Sequence, residues 1–372
     1  MILHITNDFN LTKVHKELYA NLDDLGVKQK IFIPLRNTNQ IGNNHFNFKH
    51  CGSEYIYSKK INIIHRVFFP YKISYLFNSL LKKINLEEIK LSHATTLFSD
   101  GAIAYKLYKK YNIPYVVAVR NTDINFYFNK RKELISLGIK ILENASKIIF
   151  ISQANMDSFY EKSFVKKIRK KIDHKVIVIN NGIDQYWLNN RNKYSKVDDN
   201  YNFLFIGRFD HNKNVENLIA SLDTFRIKSN LPINLHLVGG TGVNHEKVIN
   251  DIKDKNWIKY HGEIYDKSKL KKIFSMVNYF SMISHHETFG LVFIEALSQG
   301  KSLLYTKGQG VDRIFDFKIG EKVNSKDVDN IVNQLEVLIS NKYYEINDID
   351  FSKFSWPCIA LEYKHIYTEI LK

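Results

Sequence analysis

The sequence predicts an α/β protein made of two doubly wound parallel sheets. Short apolar runs alternate with amphipathic helical patterns from the first residue onward, which is typical of parallel strands connected by helices. Residues 189–202 interrupt this alternation with a polar stretch that has no periodicity, and the alternation then begins again. A chain of 372 residues is also too long for one ordinary core. We therefore expect a first domain over residues 1–188, a second domain over 189–355, and a last amphipathic helix over 356–372.

The first domain is predicted to contain buried strands at Ile2–Ile5, Gln29–Pro34, Ala94–Phe98, Tyr115–Val119, Lys147–Ser152 and Val176–Ile179. Helical patterns cover Leu11–Leu25 and residues 153–171. Between Tyr55 and Lys90, basic residues are mixed with Phe, Tyr, Leu and Ile. This segment either lies on an anionic membrane or packs on the sheet as an ordinary amphipathic helix, and the sequence leaves both open.

The second domain repeats the alternation. Its predicted strands are Phe203–Ile206, Ile233–Val238, 257–260, Tyr279–Ile283 and Ser302–Thr306. Its predicted helices are 214–226, 244–253, 266–276, an apolar helix that ends at Gly300, and 327–340. Open α/β sheets bind ligands at the carboxyl ends of their strands, so functional residues are expected in the loops that follow these strands.

Composition narrows the possible partners. The net charge is +16, and it is uneven: residues 1–185 carry 29 Lys and Arg against 15 Asp and Glu, whereas residues 186–372 carry 25 against 23. Such a basic half attracts nucleic acid, an acidic lipid surface or a phosphate-bearing substrate, unless the lysines only aid solubility. The two cysteines form no framework, and the N-terminal residues lack a signal-peptide pattern. We therefore expect a cytoplasmic protein.

Cations follow the first strand of the second domain. Strand 203–206 is followed by Gly207 and Arg208, and Lys213 lies just before a helix. A guanidinium, an ammonium and free backbone N–H groups at one place can hold a diphosphate without a metal. The alternative is an ordinary βα turn with two surface cations.

Two glutamates flank the start of the apolar helix. Glu287 precedes the helix and Glu295 lies eight residues later, or about 12 Å along a helical axis. This separation is too long for a shared proton or metal, but it suits two carboxylates that each bind sugar hydroxyls. Between them, the backbone N–H groups of Phe289, Gly290 and Leu291 can donate to phosphate.

Two further loops contain candidate binding residues. Gly239 and Gly240 end the strand Ile233–Val238, where they either let a ligand approach the backbone or form a plain tight turn. In the first domain, Arg120 and Asp123 follow the strand Tyr115–Val119. This position is again one at which α/β sheets place ligand-binding loops.

In combination, these motifs resemble the retaining GT-B glycosyltransferases of family 4, which include many bacterial capsule, lipopolysaccharide and teichoic acid sugar transferases. The resemblance is carried by Asn181–Asp184, Gly207 and Arg208 with Lys213, Val238–Gly240, Gly262, and Glu287–Gly290 with Glu295. It implies two Rossmann-like domains that face a cleft, with the acceptor on the first and the nucleotide sugar on the second. It also implies that the helix from Trp356 joins the first domain.

The resemblance further implies roles for individual residues. Arg208 and Lys213 would neutralise the diphosphate, Glu295 would bind the ribose, and Glu287 would hold the donor sugar with the backbone of Phe289–Leu291. The donor-binding set would be completed by Gly207, Gly239 and Gly240. The catalytic set would be Glu287, Arg208, Lys213 and Arg120. Arg120 stands where many relatives have a histidine and could contact the sugar or an acceptor phosphate. Asn7, His93 and Asp123 would lie on the acceptor side.

The function that these implications predict is metal-independent and cofactor-free transfer with retention of configuration. A hexose or N-acetylhexosamine would move from a nucleoside-diphosphate sugar, with UDP-sugars expected first, to a glycan or lipid-linked acceptor. This acceptor would be a lipid-linked oligosaccharide, capsule, O-antigen or teichoic acid precursor. The basic first domain would bind the anionic inner face of the membrane. The alternatives are a GT-B nucleotide-sugar epimerase or hydrolase and, more remotely, a nucleic-acid-binding protein, for which the sequence shows no recognition module.

Overall fold

The computed structural model describes residues 1–194, 201–341 and 343–372, apart from the side chain of Arg66. These residues form two compact units. The first unit comprises residues 1–151, 156–182 and 354–372, and the second comprises 152–155 and 183–353. Residues 195–200 of the predicted linker lie outside the described residues, whereas Tyr201 and Asn202 already belong to a strand.

The first unit contains a seven-stranded sheet with the order β3-β2-β1-β4-β5-β6-β7. Its strands are β1 (Ile2–Ile5), β2 (Gln29–Ile33), β3 (Glu54–Tyr57), β4 (Leu91–Ala94), β5 (Tyr115–Val119), β6 (Lys147–Phe150) and β7 (Val176–Val178). Every neighbouring pair is parallel. The chain reverses its direction of winding between β1 and β4, and the loops after these strands therefore border a crevice.

The second unit contains a six-stranded parallel sheet with the order β10-β9-β8-β11-β12-β13. Its strands are β8 (Tyr201–Arg208), β9 (Ile233–Gly240), β10 (Ile258–Tyr260), β11 (Tyr279–Met282), β12 (Ser302–Thr306) and β13 (Gly320–Val323). Here the winding reverses between β8 and β11. The prediction of two parallel α/β sheets is thus confirmed.

Helices alternate with the strands in both units. They are α1 (Lys13–Asp24), α2 (Ile63–Val67), α3 (Phe69–Leu81), α4 (Gly101–Tyr111), α5 (Phe128–Lys130), α6 (Ile135–Asn144), α7 (Gln153–Tyr160), α8 (Ser163–Ile172), α9 (Gln185–Asn189), α10 (Val215–Ser229), α11 (His245–Ile252), α12 (Lys267–Ser275), α13 (Leu291–Ser298), α14 (Val328–Ser340) and α15 (Trp356–Leu371). Among the described residues, no helix is long and apolar enough to span a bilayer.

Successive side chains of a strand point to opposite faces of the sheet, and the first unit therefore has two cores. Ile2 packs in a core that contains residues of α1 and α15, whereas its neighbour Leu3 packs on the opposite face with α3 and α4. The last helix is thereby part of the first unit, where the Lys364 ammonium donates to the Leu25 carbonyl at 2.8 Å. A side chain at Gly182 would collide with the Trp356 ring at 2.7 Å, which shows how closely this helix packs.

Several predicted elements differ from the structure. The strand predicted at Ala94–Phe98 is wrong by a few residues, because Leu97 and Phe98 form a loop whose N–H groups bind Asp123. The helix predicted over 153–171 is divided into α7 and α8. Strands β3 and β13 were missed, since both lie at sheet edges and are short.

Candidate active site

The loops after β8 and β11 meet at the reversal point of the second sheet. Asn212 joins them: its carbonyl accepts from the His285 N–H at 2.8 Å, and its side-chain oxygen accepts from the His286 N–H at 3.0 Å. The Asn212 amide in turn donates to the His286 carbonyl at 2.9 Å. Because these bonds fix the two loops to each other, the side chains on both are held at one place.

Lys213 and Glu287 form an ion pair between these loops. The Lys213 ammonium lies 2.6 Å from a Glu287 carboxylate oxygen, and the two side chains are only 23% and 17% exposed. The backbone N–H of Lys213 donates to Asp210 Oδ1 at 3.0 Å, while the N–H of Glu287 donates to Gln309 at 3.0 Å. Both charges are therefore positioned by the backbone before any ligand arrives.

Arg208 is the last residue of β8 and lies on a more open side of the site than Lys213. Its side chain is 67% exposed, and its Nε lies 3.8 Å from Asp210 Oδ2. Asp210 thus contacts both predicted phosphate-binding residues, the guanidinium of Arg208 through one oxygen and the backbone of Lys213 through the other. An exposed guanidinium can turn toward an anion at little cost.

The glycines at the ends of β8 and β9 are explained by the packing of these two strands. Gly207 and Gly239 are paired in the register of β8 and β9, and Gly239 has a φ of 118°. A Cβ at Gly239 would lie 2.0 Å from the Gly207 carbonyl oxygen. The neighbouring strand therefore explains this glycine, and Gly240, with a φ of 138°, is the last residue of β9.

The helix α13 begins beside Glu287. Gly290 is its N-cap in the left-handed region, with a φ of 75°, and a Cβ there would lie 2.5 Å from the Phe293 ring. Phe289 is buried, and the preceding carbonyl of Thr288 accepts a hydrogen bond from Ser152 at 2.5 Å. These contacts fix the turn from which the first N–H groups of α13, including that of Leu291, emerge.

Glu295 lies in a separate polar cluster on α13. Burial, together with the charge of Asp184, raises the pKa of its carboxyl group to about 7, although Lys267 and a hydrogen bond from Trp187 oppose this shift. Trp187 is 1% exposed, and Lys267 forms an ion pair with Asp184. Neither Trp187 nor Lys267 was predicted as a site residue, since a residue in α9 or α12 approaches α13 only in the folded chain.

In the first unit, Asp100 connects the loops after β1 and β4 through hydrogen bonds. Its Oδ2 accepts from the Asn7 amide at 2.9 Å and from the hydroxyls of Thr95 and Thr96 at 2.9 and 3.0 Å. Burial, together with the charge of Asp8, raises the pKa of Asp100 to about 6. Asp100 was not predicted as a site residue, although its position at the start of a helix that follows β4 was a usable signal.

Asn7 is also the contact point for a cation that the sequence did not indicate. The Arg36 guanidinium donates to Asn7 Oδ1 at 2.7 Å. Beside it, Asp8 forms an ion pair with His15 at 3.0 Å. Burial alone would raise the pKa of Asp8, but His15 and Arg120 outweigh it and hold the value at about 2.

Arg120 and Asp123 form the loop after β5. The Arg120 Nε donates to the Thr95 carbonyl at 3.0 Å, which ties the loop to the end of β4. Asp123 is 1% exposed and accepts from the N–H groups of Leu97, Phe98 and Arg120 at 2.9 to 3.2 Å. Burial raises the pKa of Asp123 to about 6 against these bonds. Asp123 therefore holds the loops in place, while Arg120 remains partly accessible.

His93 lies in the core under α15. It is 1% exposed, its Nδ1 is 2.7 Å from the Tyr367 hydroxyl, and its ring stacks on Tyr363 at 5.3 Å. Burial lowers the pKa of His93 well below its usual range. A ligand on the surface of this unit would touch Asn7 or Arg120 before it reached His93.

The parts of the chain that the structure describes contain no group of three or more His, Cys, Asp or Glu side chains that could hold a metal ion. The charged side chains at the reversal point of the second sheet are Lys213, Glu287, Arg208 and Asp210.

Comparison with known proteins adds an independent line of support. Residues 188–349 match the family model described as glycosyl transferases group 1. The uncharacterized glycosyltransferase MJ1607 of Methanocaldococcus jannaschii is 23% identical over 279 residues, which span 68% of this chain and 69% of that protein. The family match covers the whole region in which Arg208, Lys213, Glu287 and Glu295 lie.

Solved structures show the same fold along the whole chain. The apo form of the lipopolysaccharide outer core galactosyltransferase WaaB has a TM-score of 0.73 at 16% identity, covering 100% of both chains. HepE from Anabaena, solved with UDP and glucose, has a TM-score of 0.65 at 16% identity, covering 99% of both chains. The chain is therefore an enzyme with the two-domain GT-B fold, a glycosyltransferase whose second half matches the group 1 family.

Proposed function

We propose that this enzyme is a retaining, metal-independent glycosyltransferase that uses a nucleoside-diphosphate sugar. The observation that carries the proposal is the Lys213–Glu287 pair, which is held at the reversal point of the second sheet beside the start of α13. A fixed ammonium next to the N–H groups of a helix N-terminus is well suited to a diphosphate. The binding of that diphosphate needs no metal if these groups supply the positive charge.

Each part of the nucleotide sugar is then bound by different residues. Lys213 and Arg208 neutralise the diphosphate, with the N–H groups of Phe289–Leu291. Glu287 orients Lys213 and accepts hydrogen bonds from the hydroxyls of the donor sugar. Glu295 accepts from the ribose hydroxyls, for which its carboxylate must be ionised. Its partly buried position beside Trp187 limits the competition of water for these bonds.

The transfer step breaks the bond between the anomeric carbon and the diphosphate oxygen. The acceptor oxygen forms its bond to the same face of that carbon, which preserves the configuration. The acceptor proton passes to the departing diphosphate oxygen, so no side chain is needed as a general base, and attack on the same face needs no protein nucleophile. Lys213 and Arg208 stabilise the negative charge that develops on the leaving group, and this electrostatic stabilisation is the main catalytic contribution.

We assign acceptor binding to the first unit, through Arg120 and Asn7. Residues 1–185 carry 29 basic against 15 acidic residues, which favours a phosphate-bearing acceptor. WaaB is a lipopolysaccharide enzyme and HepE was solved with UDP and glucose, which supports a UDP-hexose or UDP-N-acetylhexosamine donor and a cell-surface glycan precursor. A lipid-linked oligosaccharide, capsule, O-antigen or teichoic acid precursor would bring the enzyme to the inner face of the membrane.

The test is a release assay for nucleoside diphosphate in the presence of a chelator. Purified enzyme is incubated with single UDP-sugars, with and without a lipid-diphosphate-linked glycan. Release that depends on the acceptor, with an α-linked donor giving an α-linked product, supports retaining transfer. Sugar release or isomerisation without an acceptor would instead identify a hydrolase or an epimerase. Activity that disappears with chelator and returns with a divalent cation would refute metal independence.

A further inference from the structure

An exposed apolar patch lies where α2 leads into α3. Ile63, Ile64 and Val67 on α2, Phe68 between the helices and Tyr71 in the first turn of α3 are 76%, 52%, 61%, 61% and 55% exposed. We refer to these five side chains as the α2 patch. Large apolar side chains that cluster at a surface usually mark an interaction site. The two helices of the basic, apolar segment between Tyr55 and Lys90 thus differ. The helix α3 buries its apolar face on the first unit, but α2 does not.

The buried neighbours of the α2 patch fix the orientation of α2, so that the patch faces solvent. His65, between the exposed residues of α2, is 4% exposed; its ring stacks on Tyr71 at 5.1 Å and makes a tilted contact with Tyr75 at 4.2 Å. Asn62 caps the helix by accepting from the His65 N–H at 3.4 Å. Phe69, next to Phe68, is 3% exposed in the core. The same contacts that anchor α2 therefore keep its remaining apolar side chains in solvent.

The chain segment that carries the patch contains charges of one sign only. Residues 55–86 contain Lys59, Lys60, Arg66, Lys72, Lys82 and Lys83 and no Asp or Glu. Lys59 and Lys60 are exposed, and the Lys60 carbonyl accepts from the Tyr75 hydroxyl at 3.3 Å, which places this lysine beside the ring that supports His65. A second copy of the chain seated on the patch by twofold symmetry would bring these cations against each other. An anionic surface would be attracted by them.

We propose that the α2 patch docks the enzyme on an anionic phospholipid bilayer. Its apolar side chains enter the boundary between headgroups and acyl chains, and Lys59 and Lys60 contact the lipid phosphates. The inference extends the lipid-linked acceptor of the proposed function, because docking would bring the enzyme to the surface in which such an acceptor is embedded. Vesicle binding itself requires neither donor nor acceptor and can be measured separately.

The experiment is vesicle flotation with the full chain. Wild-type protein should float with vesicles of phosphatidylcholine and 30% phosphatidylglycerol at least about tenfold more tightly than with phosphatidylcholine alone. The Ile64→Ser/Phe68→Ser variant should lose about tenfold or more in binding to the anionic vesicles. Lys59→Gln/Lys60→Gln should weaken the preference for them by a similar factor. A control, Ile227→Ser/Leu361→Ser, removes two apolar side chains that are 70% and 56% exposed elsewhere and should bind as wild type.

Three results would overturn the proposal. These are wild-type protein that does not float, an Ile64→Ser/Phe68→Ser variant that floats normally, and a wild-type dimer in sedimentation that this variant converts to a monomer. If the double variant unfolds at a lower temperature, Ile63→Ser, which changes the most exposed residue of the patch, replaces it. UDP release with a detergent-dispersed acceptor separates the two proposals: loss of flotation with normal release supports docking, whereas flotation without release removes only the transferase assignment.

Discussion

At the residue scale, the Lys213–Glu287 pair changes how the donor site is understood. From the sequence, Lys213 is predicted to bind the diphosphate and Glu287 the sugar, as two independent contacts. In the structure they are 2.6 Å apart and mostly shielded from solvent. Removal of either partner therefore leaves the other charge partly buried without compensation, which is more costly than the loss of a surface ion pair.

This pairing predicts the effect of substitutions at Lys213. Lys213→Met should lower kcat/KM for the donor by about 100- to 1000-fold, since one fixed charge at the leaving group is lost. Lys213→Arg should restore part of the activity because the charge returns. Lys247→Met removes a 68% exposed lysine from the same unit and serves as a control that should retain wild-type kinetics. A Lys213→Met enzyme with unchanged kcat/KM in the UDP release assay would place the diphosphate elsewhere.

The raised pKa of Glu295 predicts that the affinity for the nucleotide sugar depends on pH. Its pKa is raised to about 7, chiefly by burial, so the carboxyl is protonated below that pH in the free enzyme. Because ribose hydroxyls donate to the ionised form, the affinity for UDP-glucose should rise between pH 5.5 and 7 and level off above it. The fall below pH 7 should approach about tenfold per pH unit.

Calorimetric titration with UDP-glucose measures this profile, because the diphosphate diester does not itself titrate in that range. Glu295→Gln should bind more weakly and lose the dependence. Asp184→Asn should move the inflection to lower pH, since the charge that raises the pKa of Glu295 is removed. A flat profile in the wild type would exclude Glu295 from ribose binding.

At the element scale, the donor site depends on how closely two strands approach. The carboxyl ends of β8 and β9 run in register up to the pairs Gly207–Gly239 and Arg208–Gly240. The close approach at Gly239 thus helps to set where β8 ends at Arg208 and where the loop that carries Lys213 begins. From the sequence, Gly239 could equally have been a ligand-contacting glycine, and only the position of the neighbouring carbonyl distinguishes these roles.

Substitution of Gly239 tests this explanation. Gly239→Ala should destabilise the second unit by about 2–4 kcal/mol, because its Cβ would lie 2.0 Å from a backbone oxygen at a φ of 118°. Gly262→Ala is the matched control: its φ is also positive, at 70°, but nothing lies within 4 Å of the added Cβ. That change should cost only about 1–2 kcal/mol. Urea unfolding measures both, and equal costs would show that steric contact with Gly207 is unimportant.

At the scale of the whole molecule, both sheets have the same arrangement of strands and polar loops. Each reverses its winding between the first and the fourth of its strands in chain order, and each carries its polar cluster in the loops at that point. The donor residues that we propose all lie within 183–353, whereas α15 belongs to the first unit. Stability of the first unit and donor affinity of the second should consequently respond to different mutations.

Trp356 provides the test of that separation. Trp356→Ala should destabilise the first unit by about 3–5 kcal/mol, because the 6% exposed ring packs against Gly182. The Kd for UDP-glucose should remain that of the wild type. Leu361→Ala, at a 56% exposed position of the same helix, should change neither quantity measurably. Weaker UDP-glucose binding by folded Trp356→Ala protein would contradict the separation.

The sequence by itself determined the two parallel sheets and the loops in which charged residues collect. It could do so because strand and helix periodicity, and the placement of loops after strands, are local properties. Only the tertiary structure decided which loop residues meet: it paired Lys213 with Glu287, put Trp187 beside Glu295, and buried His93 beneath Tyr367. It also decided that α3 is covered while the α2 patch is exposed, although both have apolar sequences. Such contacts join residues far apart in the chain, and their distances depend on how helices pack and where the winding of a sheet reverses, which no local pattern records.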